Sequence, residues 1–171
     1  MELITLVPYT FIRECLSLSW HDALWGYERQ MMGWSDIVNI ATDRLCAGSN
    51  DPLEIELASL NKSEAYQVGD LLRKLASSSR DENCGLAQRK WLYLILAWLF
   101  KNKEIIHDAL GDVETIYAEF DYPSEIESFV RYMPVTDGYD PSIHSKNENE
   151  KRLFDNWRKY LEAAELELAK K

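Results

Sequence analysis

The residues that could do chemistry in this sequence are three histidines and a large number of carboxylates. None of the histidines, His21, His107 and His144, has a second histidine at the spacing of the H-E-x-x-H zinc motif. Asp137 and Asp140 flank a glycine, but a calcium loop needs oxygen ligands at alternate positions and a distal glutamate, so a turn explains them better. A glycine-rich phosphate-binding motif is also absent from the sequence. We therefore expect no metal, no cofactor and no catalytic residue.

The carboxylates are concentrated in an interval that contains no lysine or arginine, between Lys103 and Arg131. Its acidic residues are Glu104, Asp108, Asp112, Glu114, Glu119, Asp121, Glu125 and Glu127, and Asp137 and Asp140 follow soon after. The net charge of the chain is −10. Such a field repels phosphate backbones and attracts a basic protein, so we expect no nucleic-acid binding and a basic protein partner. On charge alone, a merely solubilising surface explains the acids equally well.

Aromatic residues are the second unusual feature, with six tryptophans and nine tyrosines. Trp91 and Trp98 have apolar neighbours and are predicted to fill the core. Tyr122 and Tyr139 lie within or beside the acidic interval and outside the helical apolar stripes, which favours them as binding anchors. The predicted partner-binding residues are Asp112, Glu114, Glu119, Asp121, Tyr122, Glu125, Glu127, Asp137, Tyr139 and Asp140.

Two other classes of function stay open at this point. A helical hydrolase would need several carboxylates, with or without a metal, to converge in a deep pocket. A structural adaptor subunit would expose a large apolar patch and form a stable oligomer. The binding protein is the leading hypothesis, as a monomer or weak homodimer.

The elements that must position these residues are helices. Every residue from Trp91 to Phe100 is apolar, so a helix over about residues 83–102 must be covered on all sides. The run is about half of the ~20 residues needed to cross a bilayer, and we expect no membrane association. We predict an all-α fold, a compact bundle of about eight to ten helices around this central helix, in a single domain of residues 1–171.

Local signals predict where the helices begin and end. Ser19 with Asp22, Asn61 with Glu64, and Ser145 with Glu148 have the spacing of capping boxes, and Asp51 precedes a proline at a first helical position. Gly33 is predicted to end the second helix, Ser35 to cap the third, Gly48 to end it, and Gly111 to break a helix. Residues 131–145 are predicted to form an ordered loop that packs on the body.

The cysteines and the start of the sequence predict a cytoplasmic protein. Cys15, Cys46 and Cys84 are odd in number and far apart, which is typical of small core residues in a reducing compartment. An acid at position 2 and the lack of a basic segment do not resemble a secretory signal.

Two stretches read together resemble a family of small bacterial proteins catalogued as a domain of unknown function. They are LSWHDALWGYERQMMGW at residues 18–34 and IYAEFDYPSEIESFVRYMPVTDGYDPSIHSKNENEKRLFDNW at residues 116–157. The order of the D-Y-P, R-Y-M-P and D-G-Y-D-P segments in the second stretch carries the resemblance. We associate that family with the immunity proteins of polymorphic toxin systems. The resemblance therefore implies a protein that neutralises a toxic domain such as a nuclease, and it implies no catalytic residues.

Overall fold

A computed structural model of the chain describes residues 6–79 and 84–169. These residues form α-helices and short 3₁₀ helices and contain no β-strand, which confirms the predicted all-α fold. The described residues divide into two compact units, an N-terminal unit that ends at Trp91 and a C-terminal unit that begins at Leu92.

The described residues of the N-terminal unit form five α-helices, one 3₁₀ helix and the start of a sixth α-helix. They are α1 (Tyr9–Cys15), α2 (Trp20–Glu28), α3 (Trp34–Cys46), α4 (Pro52–Ala58), the 3₁₀ helix Lys62–Gln67, α5 (Val68–Ser78), and the first residues of α6 (Cys84–Lys101). Helix α3 packs against α4, and α2 packs against α5. Gly26 of α2 touches the Trp91 ring so closely that an added Cβ would lie 2.2 Å from it. This glycine therefore sets how closely the two elements approach.

Most of the local signals in this unit are confirmed. The Ser19 hydroxyl accepts a hydrogen bond from the Asp22 amide, and the Asp22 carboxylate accepts one from the Ser19 amide. Asp51 caps α4 ahead of its proline. The Asn61 capping box also forms, although it begins a 3₁₀ helix rather than α5 itself. Gly48 follows α3 with a φ of 104°, as expected of a glycine stop.

The prediction for residues 28–36 is wrong in two respects. Gly33 does not end α2 in a left-handed conformation, because Gln30 takes that conformation instead, with a φ of 60°. Gly33 is the N-cap of α3, and its amide donates to the Asp36 carboxylate at 3.0 Å. Ser35 therefore lies inside the helix and does not cap it.

Helix α6 carries the apolar run and is buried as predicted. Residues 91–96 are each at most 6% exposed, whereas Ala97, Trp98 and Phe100 are partly exposed. The predicted start of this helix near Asp81 lies outside the described residues. Within the described part of the chain, no helix is both long enough and apolar enough to span a bilayer.

The C-terminal unit contains the rest of α6 and the elements that carry the acidic interval. They are α7 (Ala109–Glu119), the 3₁₀ helices Ser124–Phe129 and Pro141–Ile143, and α8 (Lys146–Ala169). Both α7 and α8 pack against the 3₁₀ helix Ser124–Phe129. Trp157 of α8 is fully buried between the rings of Phe129 and Phe154, which lie nearly parallel to it. The core of this unit therefore lies beneath the segment that carries the predicted site.

Two further predictions are corrected here. Gly111 does not break a helix: the Asp108 side chain caps α7 by accepting from the Gly111 amide at 3.1 Å, so the glycine lies in the first turn. Cys46 is exposed at the end of α3 rather than buried in the core, and Cys15 is only partly buried. Ser145 and Glu148 form the predicted capping box of α8.

Candidate functional site

The predicted binding residues all belong to the C-terminal unit, on α7, the 3₁₀ helix Ser124–Phe129 and the loop that precedes α8. Val113, Ile116 and Tyr117 face the core of this unit, as their helical spacing predicts. The acidic residues of α7 lie off that face and are exposed or partly exposed. The packing of α7 therefore turns its carboxylates away from the core.

Helix α7 ends in a tight corner at Asp121 and Tyr122. Both residues have left-handed backbones, with φ values of 61° and 56°. The Tyr122 amide donates to the Tyr117 carbonyl at 2.8 Å and the Asp121 amide to the Ala118 carbonyl at 3.2 Å, which are the two bonds of a Schellman motif. A left-handed conformation costs a residue with a side chain about 1–2 kcal/mol, so these bonds hold both side chains in a position that the chain would otherwise avoid.

Three tyrosine rings meet at this corner. The Tyr122 ring lies edge-on to Tyr117 with centroids 5.2 Å apart, and Tyr132 lies on Tyr117 at 6.2 Å. Tyr117 is buried and its hydroxyl donates to Glu127 at 3.0 Å. Tyr122 and Tyr132 are 58% and 59% exposed. A rigid ring therefore supports two exposed aromatic side chains beside a carboxylate.

Raised pKa values keep the phenols of Tyr117 and Tyr132 uncharged. Loss of water, then the hydrogen bond to Glu127, raises the pKa of Tyr117. Loss of water, then the neighbouring Tyr122 and Glu114, raises the pKa of Tyr132. Because these shifts lead away from neutrality, the rings present hydroxyl groups and aromatic faces, with the negative charge on the glutamates.

Arg131, two residues after the 3₁₀ helix Ser124–Phe129, binds the carboxylates of Asp108 and Glu114. It donates to both Asp108 oxygens at 3.1 Å and to Glu114 at 2.8 and 3.2 Å. Desolvation acts to raise the pKa of Asp108, but the Gly111 amide and Arg131 outweigh it and lower that pKa. The hydrogen bond to Glu114, followed by that to Asp108, raises the pKa of Arg131. The charge of Glu114 is thus largely balanced within the unit.

The loop of residues 131–145 is fastened to α8 by its own charges. Asp137 accepts from Arg152 at 2.8 Å, which is the main reason that its pKa is lowered. Tyr139 stacks on His144, lies under Arg152 and donates to Asn149 at 2.6 Å. Asp140 accepts from the Ser142 hydroxyl and amide, and these bonds lower its pKa. The Tyr139 side chain therefore already has partners in the loop and on α8. Its role as a binding anchor stays a prediction.

Asp121 and Glu125 differ from these paired acids. Both are exposed, and neither makes an ion pair with any residue that the structure describes. Glu119 is also exposed, at the last turn of α7. Asp112 is partly buried, and desolvation followed by the nearby Asp108 raises its pKa. Of the predicted residues, Asp121, Tyr122, Glu125 and Glu127 come together at the corner.

A cleft of about 460 Å³ lies next to the corner, between the 3₁₀ helix Ser124–Phe129, the loop and α8. Glu127, Met133, Val135, Asp137 and Asn156 are among its lining residues. Two of its charged lining residues, Asp137 and Arg152, form an ion pair with each other. In the part of the chain that the structure describes, no three histidine, cysteine or acidic side chains are grouped so that they could hold a metal ion.

Sequence reasoning missed the two residues that give the corner its shape. Tyr132 lies 15 positions from Tyr117 in the sequence, and nothing in the sequence pattern pairs them. In the sequence Arg131 marks only the end of the acidic interval. Its hydrogen bonds to Asp108 and Glu114 depend on tertiary structure. The position of Tyr132 directly after Arg131, the basic residue that ends the acidic interval, was the one available signal.

Comparison with known proteins gives a single family. A family model described as an uncharacterized protein conserved in bacteria (DUF2247) matches residues 9–165. No curated protein and no solved structure matches the chain.

Proposed function

We propose that this chain, which belongs to the DUF2247 family of uncharacterized proteins conserved in bacteria, is a cytoplasmic binding protein for a basic protein partner. The binding surface is the α7 corner, which we define as Tyr117, Asp121, Tyr122, Glu125, Glu127 and Tyr132. The partner is a toxic domain made by the same cell, such as a nuclease, whose substrate-binding lysines and arginines the corner covers.

The observation that carries this proposal is the placement of exposed acids beside exposed aromatic rings. Asp121 and Glu125 flank Tyr122 in the sequence, and the Schellman bonds hold Tyr122 outward. Protein interfaces are commonly anchored by aromatic side chains surrounded by polar groups. Acids without an internal partner keep their charge available for a cationic surface, unlike Glu114 and Asp137.

Occlusion is the mechanism that follows from this surface. A nuclease grips its phosphate backbone with lysine and arginine side chains, and carboxylates can occupy the same side chains. The carboxylates mainly set the rate of association and the choice of partner, while the tyrosines supply the desolvated area. No catalytic step is required of this chain.

Co-expression with the product of the adjacent toxin gene tests the proposal. The wild-type chain should restore growth, and the double variant Asp121→Lys and Glu125→Lys should not. Glu14→Lys with Glu56→Lys is the matched control, because it makes the same change of charge at exposed residues of the N-terminal unit. Failure of the wild-type chain to protect, or equal protection by both double variants, would contradict the proposal.

A further inference from the structure

We infer that Tyr122 and Tyr132 form a clamp that receives one arginine side chain of the basic partner, with Glu127 beside it. This inference rests on the proposed function and names what the α7 corner recognises. Neither the charge of the unit nor the family description specifies such a clamp.

The distances between the rings suit a cation. Tyr122 and Tyr132 have ring centroids 5.2 Å and 6.2 Å from that of Tyr117, so both exposed rings lie beside the same buried ring. An arginine side chain held against both exposed rings would lie within the ~6 Å of each centroid at which cation–π attraction is effective. Tyr117 forms the floor, and its raised pKa keeps it neutral.

A carboxylate next to the rings supplies the matching charge. The Tyr117 hydroxyl donates to one oxygen of Glu127 and leaves the other for a cation. Both oxygens of Glu114 accept from Arg131, so Glu127 is the carboxylate that can meet the arginine. A guanidinium between the rings would thus meet aromatic faces and at least one carboxylate oxygen, the combination for which its flat, weakly hydrated group is suited.

The chain itself shows that its aromatic rings bind arginine. Arg29 lies 3.8 Å over the Trp25 ring, Arg44 lies 4.8 Å over Trp20, and Arg152 lies 4.3 Å over Tyr139. Among the described residues, no cation lies over Tyr122 or Tyr132, because Arg131 is directed to Asp108 and Glu114. These two exposed rings therefore remain available to an arginine from outside.

The backbone that carries the clamp is held before it binds. The Schellman bonds fix the Tyr122 backbone, and Tyr132 follows Arg131, whose side chain is held by four hydrogen bonds. A backbone that is already held loses less entropy on binding. We therefore expect a selective contact rather than a general attraction to positive charge.

Titration with nona-arginine and nona-lysine peptides at physiological ionic strength tests the clamp. We expect nona-arginine to bind about fivefold more tightly than nona-lysine to the wild-type chain. Tyr122→Ala and Tyr132→Ala should each weaken nona-arginine binding about five- to tenfold and abolish the preference. Tyr122→Phe and Tyr132→Phe keep the aromatic faces and should keep the preference.

Two controls separate the clamp from general effects. Tyr66→Ala removes a tyrosine that is 80% exposed in the N-terminal unit and should change nothing. Asp121→Lys with Glu125→Lys should weaken both peptides to a similar extent and leave their ratio unchanged. Equal affinity of the two peptides for the wild-type chain, or alanine variants that bind nona-arginine normally, would overturn the inference.

The peptide result is independent of the toxin experiment. If the adjacent-gene product binds but the alanine variants bind it as the wild type does, the clamp is wrong and the proposed function stands. If that product does not bind while the peptides show the tyrosine-dependent preference, the proposed function is wrong and the arginine clamp stands.

Discussion

Asp22 and Glu54 in the N-terminal unit are 1% and 5% exposed, whereas most carboxylates of α7 and the segment after it are exposed. Asp22 accepts from Lys90 at 2.6 Å and from the Ser19 amide at 2.9 Å. Glu54 accepts from the Trp20 indole, which donates at 2.7 Å, and from Ser49. In the C-terminal unit other pairs, such as Arg158 with Asp155, lie at the surface.

This difference indicates two uses for the same chemical group. A buried charge must be fully paired, because removing one partner leaves a desolvated charge that costs several kcal/mol. A surface pair contributes little to stability, and its charge remains visible to other molecules. The buried carboxylates Asp22 and Glu54 therefore hold helices together, and the exposed carboxylates of the C-terminal unit are suited to binding.

The largest expected effect comes from breaking a buried pair. Lys90→Met should lower the free energy of unfolding by about 3–5 kcal/mol, because Asp22 would remain buried with its charge uncompensated. Arg158→Met, which removes the exposed pair with Asp155, should cost less than about 1 kcal/mol. Urea unfolding followed by circular dichroism measures both. Similar losses of unfolding free energy for the two variants would show that the buried pair and the exposed pair stabilise the fold equally.

A smaller loss is expected at Arg131. Arg131→Met should lower the free energy of unfolding by about 1 kcal/mol, since its ion pairs with Asp108 and Glu114 are partly exposed. The pKa of Asp108 should rise in this variant, while the Gly111 amide still lowers it in part. Carboxyl chemical shifts followed by NMR as a function of pH report this change. An unchanged pKa would show that Arg131 does not hold Asp108.

Asp121→Gly should instead stabilise the fold. Glycine is favoured at a left-handed helix end, so the variant should raise the free energy of unfolding by about 0.5–1 kcal/mol. It also removes one exposed carboxylate from the α7 corner and should weaken partner binding. Thermal unfolding and a binding titration on the same sample test the two effects. Loss of stability would show that the Asp121 side chain itself supports the corner.

Acid should loosen the loop of residues 131–145. Arg152 lowers the pKa of Asp137, and the Ser145 amide lowers that of Glu148. A lowered pKa in the folded state gives stability above the usual carboxyl pKa of about 4, and this stability is lost as the pH falls through the folded value. The pKa of Asp112 is raised in the folded state, so protonation of Asp112 adds stability as the pH falls and opposes this loss. NMR signals of Tyr139, followed from pH 7 to pH 3, should report release of its ring. A ring that is still held at pH 3 would contradict the predicted loss of stability in acid.

Short-range signals explain what could be predicted from the sequence. Ser19, Asp51 and Ser145 cap their helices as expected, because a cap depends on residues two or three positions away. The buried run of α6 is predictable because apolar residues on every face leave no surface for water. Both Gly33 and Ser35 are possible N-caps of α3. The hydrogen bond from the Gly33 amide to the Asp36 carboxylate places the N-cap at Gly33.

Tertiary pairing explains what could not be predicted. The acids of the interval look alike in the sequence, yet Arg131 engages Glu114 and leaves Asp121 exposed. Tyr122 and Tyr139 also look alike, yet Arg152 and His144 cover only Tyr139. Which side chain remains available thus depends on tertiary contacts such as Arg152 with Tyr139, 13 positions apart, and Arg131 with Glu114, 17 positions apart, which no local pattern encodes.

The rate of association with the adjacent-gene toxin domain, measured by stopped flow at low salt, tests the central claim most directly. Electrostatic attraction to the α7 corner predicts that Asp121→Lys with Glu125→Lys slows association at least about tenfold, and that Glu14→Lys with Glu56→Lys changes it by less than about twofold. Equal slowing by the two double variants would show that only net charge matters. That result would contradict a binding surface at this corner.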